Sequence, residues 1–217
     1  MHFARGLPTE LGEKSKTGDA AVPRKKSIRL AAQWFRTKAD ELAKFCTNTC
    51  QHVSEEQQSW IYDYGIIRLY REFELLVLEG IVGAINNDTE TFSDTVGIPF
   101  PKHLTDEVCE YLVLGNGYFD FKGRDGLIKE LKRFVPDTHF LLTTIKKPKY
   151  KDSLERLSAL RNYAAHDSFQ SKRNALRAVD QDRIGSAGSW LKRQGRFQEI
   201  CDNLKELAQE VHDAAPY

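Results

Sequence analysis

A chain of 217 residues, 41% hydrophobic and 29% charged, has the make-up of an ordinary soluble protein and is long enough to bury a sizeable core. A formal net charge of +1 excludes a global basic field, so any affinity for nucleic acid has to be local. Four cysteines (Cys46, Cys50, Cys109, Cys201) make no dense disulfide framework, and without a secretory signal they read as reduced thiols in a cytoplasm.

Residues 1–25 are polar and rich in Gly, Lys, Thr and Ser, with no apolar h-region. They are expected to form a flexible N-terminal tail, leaving 26–217 as the folded domain. Arg24-Lys25-Lys26 reads as a solvated helix start. The first helix is predicted from Ser27, with Leu30, Ala31, Trp34, Phe35, Leu42 and Phe45 as its apolar stripe. Cys46 and Cys50 lie one turn apart with His52 nearby. A zinc site needs a fourth ligand and usually closer spacing, so no metal is expected there.

Ser54-Glu55-Glu56-Gln57 is a capping box that opens a second, long helix running to about Asn86. Leu75 to Ile85 is nearly all apolar, but Glu79 interrupts it and it is too short to span a bilayer; no membrane association is expected. Charges crowd just ahead of it, and one of Glu72, Glu74 or Glu79 is a candidate counter-charge for Arg161 or Arg71. Residues 87–149 are punctuated by Pro99, Pro101, Gly115-Asn116-Gly117, Pro136 and Pro148, and read as an irregular insertion with short helices near 105–114 and 125–135. Gly115-Asn116-Gly117 lacks the lysine and hydroxyl spacing of a phosphate loop and reads as a turn. Tyr118, Phe119 and Phe121 suit core packing better than base stacking.

Asp152 to Ser168 is the most informative stretch. Asp152 and Glu155 have capping-box spacing, and Leu154, Leu157, Leu160 and Ala164 form an apolar stripe. At 100° per residue, Arg161 falls within that stripe, where a guanidinium calls for a partner. Asn162 and His166, four residues apart, share another face, so the amide can orient the imidazole. Lys146, Lys147, Lys149 and Lys151 precede this helix, and Lys172, Arg173 and Arg177 follow it. Lys149, Lys151, Lys172 and Arg173 are the candidate phosphate-tracking residues.

Arg161-Asn162-Tyr163-Ala164-Ala165-His166 resembles the Arg-x4-6-His motif of the HEPN superfamily. Arg133 and His139 have a spacing within the same range, but Pro136 between them breaks a helix. The resemblance implies an all-α, HEPN-like helical bundle acting as a homodimer with two motifs at its interface. It also implies a metal-independent endoribonuclease needing no cofactor, serving as a toxin or antiphage effector with an antitoxin or defence-system protein as partner. Arg161, Asn162 and His166 would then be the catalytic residues. A departure is Ser168, which stands where one toxin branch carries a modified tyrosine two residues after the histidine. A non-catalytic helical adaptor or dimerisation module is the alternative, and a helical subunit of an unrelated enzyme a third reading.

Gly185-Ser186-Ala187-Gly188-Ser189 reads as a turn before Trp190. A final helix is marked by Phe197, Ile200, Cys201, Leu204, Leu207, Ala208 and Val211. Period-two alternation of any length is missing, so the expected fold class is all-α.

Overall fold

A computed structural model describes residues 25–216. The flexible-tail expectation for residues 1–24 falls outside the described residues. Within them the chain forms ten α-helices and no strand: α1 (Ile28–Thr49), α2 (Glu55–Asn87), α3 (Thr89–Val96), α4 (Asp106–Leu114), α5 (Gly123–Leu131), α6 (Phe140–Ile145), α7 (Lys151–His166), α8 (Phe169–Ala178), α9 (Ala187–Leu191) and α10 (Arg196–Ala214). None of them is long and apolar enough to cross a membrane.

Helix α2 is the axis of the molecule. At 1.5 Å per residue it is about 50 Å long. Ser54 accepts from the Gln57 N–H while the Gln57 side chain accepts from the Ser54 N–H, which satisfies two of the orphan donors of its first turn. Helix α1 packs along one side of α2, and α7 and α9 lie along another; α10 closes on α1, and α8 folds back on α7. Ile66, Leu69, Tyr70, Phe73 and Ile81 of α2 are all essentially sealed from solvent.

Helix α1 departs from its predicted stripe. Ser27 does cap it, accepting from the Leu30 N–H. The side chains facing α2 and α10 are Ile28, Ala31, Phe35, Ala39, Leu42 and Cys46, whereas Leu30, Trp34 and Phe45 stay 66%, 58% and 47% exposed. The sequence stripe merged two apolar faces of one helix, of which the fold covers one. The basic residues ahead of α1 are docked rather than merely solvated. Lys25 donates to the Asn86 carbonyl at 2.9 Å and Lys26 pairs with Glu79 at 2.8 Å, joining the start of α1 to the end of α2.

The 87–149 stretch is more regular than expected. Four of the ten helices lie in it, and its Cys109, Phe119, Phe121, Leu127, Leu131, Leu141 and Leu142 belong to the same continuous core as α1, α2 and α10. The glycine turn is borne out: Gly115, at φ 57°, ends α4, and the Gly117 N–H returns to the Leu114 carbonyl. The last helix also keeps its predicted stripe, with all seven of its apolar positions buried.

Candidate active site

Helix α7 carries the motif. It starts on a 3-10 turn, and no side chain caps it, so the expected Asp152–Glu155 box does not form. Glu155 serves a different helix. Its carboxylate accepts from the Arg124 N–H at 2.9 Å, while the Ser158 hydroxyl accepts from the Gly123 N–H at 3.1 Å. Together they cap the N-terminus of α5, where orphan N–H groups attract a carboxylate. Gly123 is required there: its φ is +64°, and a Cβ would lie 2.6 Å from Glu155 Oε2. This junction fixes the segment 120–123 against α7 and gives the site its outer wall.

Between that wall, the C-terminal half of α7 and helix α8 lies a cleft of about 770 Å³. Arg161, Asn162 and His166 line it, with Lys122, Asp120 and Arg177 opposite or beside them. Leu154, Leu157 and Leu160 anchor α7 in the core. Arg161 leaves the same packed face where the core opens into the cleft and is only partly buried. Its guanidinium lies 4.5 Å from the centre of the Tyr70 ring on α2, and its Nη1 donates to Asn162 Oδ1 at 2.7 Å. Tyr70 is itself fixed, since its hydroxyl faces Asp120 Oδ1 at 3.0 Å and the Phe121 carbonyl at 2.9 Å.

Of the acids anticipated on α2 as a counter-charge for Arg161 or Arg71, Glu74 pairs with Arg71, while Glu72 pairs with Arg68 and Glu79 with Lys26. Glu74 is 6% exposed, and Arg71 approaches it at 3.6 Å. Burial raises its pKa above the ordinary carboxylate value, against the opposing fields of Arg161 and Arg71. Arg161 forms no ion pair within 4 Å among the described residues. Held by an aromatic face and an amide, it keeps its charge directed at the cleft.

His166 is the last residue of α7 and is exposed. Asp167 follows in the left-handed region at φ 40°, which ends the helix, and Ser168 then caps α8. Asn162 does not orient the imidazole by a hydrogen bond; its amide oxygen is taken by Arg161 instead. Tyr163 points away from the cleft. Its hydroxyl donates to the Gly185 carbonyl at 2.7 Å, tying α7 to the segment before α9. That segment seats against α2: Asp63 accepts from the Gly188 N–H at 2.6 Å, and Trp190 is buried.

The candidate phosphate-tracking residues are not gathered at the cleft. Lys149 pairs with Glu206 at 2.5 Å and Glu210 at 3.0 Å on α10, and Lys147 pairs with Glu210 at 2.9 Å. The basic run is local in sequence but neutralised in space. Lys151 begins α7, about 22 Å along the helix axis from His166. Lys172 and Arg173 lie on α8, outside the cleft lining; Arg173 borders a neighbouring depression with Asp180 and Asp182. The cations that do line the cleft besides Arg161 are Arg177, from the basic stretch after the motif, and Lys122, which no sequence pattern marked. Cys46 is buried and burial pushes its thiol up to about 12, consistent with an ordinary helix cysteine. No family model, curated protein or solved structure matches this chain.

Proposed function

We propose that the chain is a metal-independent endoribonuclease of the HEPN type, working as a toxin or antiphage effector. The observation that carries this reading is the cleft geometry: Arg161 and His166 line one cleft, and the guanidinium is anchored without an ion pair. RNA brings its own nucleophile. In the proposed reaction the 2′-hydroxyl loses its proton, its oxygen bonds to the adjacent phosphorus, and the P–O5′ bond breaks as the leaving oxygen takes up a proton. His166 moves protons, the role open to an imidazole that lines the cleft. Arg161 stabilises the charge that builds on the non-bridging oxygens, and its planar fork suits two of them. Asn162 orients the guanidinium and offers its amide N–H groups to the cleft. The products are a 2′,3′-cyclic phosphate and a 5′-hydroxyl.

One motif supplies one imidazole, so separate acid and base call for a second copy of the chain. A surface suited to that copy exists. Leu30, Trp34, Phe45, Trp60 and Tyr64 are all exposed on the outer face of α1 and α2, and Phe45 and Tyr64 meet edge-to-face with centroids 6.2 Å apart. Lys38, Glu41 and Arg68 intersperse both signs of charge, as a self-complementary two-fold contact needs. Trp60 also borders the depression that contains Ala164 and Asp167, next to the His166 end of α7. The same apolar face favours a second reading, in which the bundle is a non-catalytic adaptor and a different protein covers it.

Incubation with total RNA in excess chelator tests the nuclease reading. Cleavage leaving 2′,3′-cyclic phosphate ends is the expected result, whereas intact RNA at high protein concentration overturns it.

A further inference from the structure

The cleft extends along α7 rather than sitting at one point of it. His166 and Ser158 both line it and lie about 12 Å apart along the helix axis, with Arg161 between them. Lys122 stands at the Ser158 end, because the next residue, Gly123, donates its N–H to the Ser158 hydroxyl at 3.1 Å. The Lys122 side chain lines the cleft, is exposed and makes no capping bond to α5. The other wall is α8. Gln170, Asn174 and Arg177 share one face of that helix, and all three line the cleft. Arg177 lies about 10 Å beyond Gln170 along the axis. Because α8 folds back on α7, that step carries Arg177 away from His166 and toward the Ser158 end.

Besides His166, the cleft is lined by three cations, Lys122, Arg161 and Arg177, against two acids, Asp120 and Glu155. The acids are occupied. Asp120 faces the Tyr70 hydroxyl at 3.0 Å, and Glu155 accepts from the Arg124 N–H at 2.9 Å over the start of α5. The three cations form no ion pair among the described residues. Lys147 and Lys149, by contrast, are held by acids of α10. Gln170 donates to Asn174 Oδ1 at 3.0 Å, which leaves the Asn174 N–H groups as donors one turn before Arg177. Unpaired cations and amide donors in line along a groove suit a chain of phosphates. With the scissile phosphate between Arg161 and His166, Lys122 and Arg177 lie on the far side of Arg161 from the imidazole, where the next phosphate of the strand arrives.

We infer that Lys122 and Arg177, with the Asn174 amide, form a second phosphate subsite at the Ser158 end of the cleft, and that it holds the phosphate of an RNA strand next to the one on Arg161 and His166. The strand then lies along α7, and the lysines that lead into α7 do not touch it. This rests on the nuclease reading for which phosphate is cut. Arg177 is also in the last turn of α8, where its charge favours the helix end. Melting registers that structural role, and the salt dependence of RNA binding does not.

The test is binding of a fluorescein-labelled oligouridylate to the full chain carrying His166→Ala, followed by anisotropy from about 50 to 200 mM salt, with melting recorded on the same samples. Each phosphate contact to a single strand contributes about 0.7 to the slope of log affinity against log salt. Lys122→Ala and Arg177→Ala are each expected to flatten the slope by about 0.7, so that over this range each variant loses about 2.6-fold less affinity than the parent. Lys149→Ala and Lys172→Ala, outside the cleft, should keep the parent's slope. Failure of the parent to bind, an unchanged slope in either Lys122→Ala or Arg177→Ala, or an equal flattening in Lys149→Ala and Lys172→Ala overturns the inference. If the wild type cuts RNA while either cleft variant keeps the parent's slope, the subsite is wrong and the nuclease reading stands. If both cleft variants flatten the slope but the wild type never cuts, the subsite stands as part of an RNA-binding groove and the nuclease reading fails.

Discussion

Tyr70 is the hinge between the core and the cleft, and two substitutions there separate its roles. Its ring is 1% exposed and lies under Arg161, and its hydroxyl faces Asp120 and the Phe121 carbonyl. Tyr70→Phe keeps the ring and removes the donor. The Phe121 carbonyl then lacks a donor in its buried setting, while the exposed Asp120 carboxylate turns to water, a change that costs about 1–3 kcal/mol. For a chain of this size each kcal/mol corresponds to about 2–4 °C, so melting should fall by about 2–12 °C. Arg161 should keep its seat, and RNA cleavage should be close to that of the wild type at a temperature well below melting. Tyr70→Leu removes the ring as well, and with it a cation–π contact of about 0.5–2 kcal/mol. The guanidinium then loses its support, and a displacement of about 1 Å lowers cleavage by about 100-fold. Circular dichroism melts and initial cleavage rates on one RNA measure both effects. A Tyr70→Phe variant melting with the wild type, or a folded Tyr70→Leu variant cutting at the wild-type rate, refutes the reasoning.

Other outcomes follow from the same geometry. Gly188→Ala puts a Cβ onto the Ser59 carbonyl and 2.9 Å from the Asp63 amide nitrogen, so α9 must lift from α2; urea unfolding should show a loss of about 1–3 kcal/mol, and an unchanged midpoint contradicts the close approach. Burial pushes the His139 imidazole down to about 4, against the opposing field of Asp88. The unfolded chain therefore takes up a proton between about 6.5 and 4 that the folded one refuses, so stability is full above that window and falls as pH drops through it. His139→Gln should flatten the acid-side decline in melting temperature, and an identical decline contradicts this. Trp34→Glu on the exposed α1–α2 face should convert a dimer to a monomer in analytical ultracentrifugation with its helicity unchanged; a wild type that is monomeric at micromolar concentration contradicts the dimer.

The sequence made the helices legible where a single face decides the outcome. Residues 197–211 have one apolar stripe and α10 buries all of it, and the Ser54–Gln57 box marks the start of α2 to the residue. Helix α1 misled because it carries apolar residues on two faces, and only tertiary packing chooses which one to cover. The insertion looked irregular because its glycines and prolines mark turns, yet the residues between them still form helices that join the core. At the site, Arg161 on a packed face was legible from the 100° step alone. Its partners were not: Tyr70 lies 91 positions away in sequence, and no local pattern links the two. The lysines misled for the opposite reason, because Glu206 and Glu210, which neutralise Lys147 and Lys149, come from the far end of the chain. Lys122 reaches the cleft only because Glu155 and Ser158 hold the start of α5 against α7.

The most direct measurement is RNA cleavage by His166→Ala beside the wild type, with melting recorded on the same samples. His166 is exposed at the end of α7, so its removal should leave the fold untouched. The account predicts that the variant melts with the wild type and that its cleavage is abolished, a loss of at least about 10²-fold for a proton-transferring group. A variant that melts normally and cuts as fast as the wild type contradicts it, and Arg161 is then a structural arginine in a binding module.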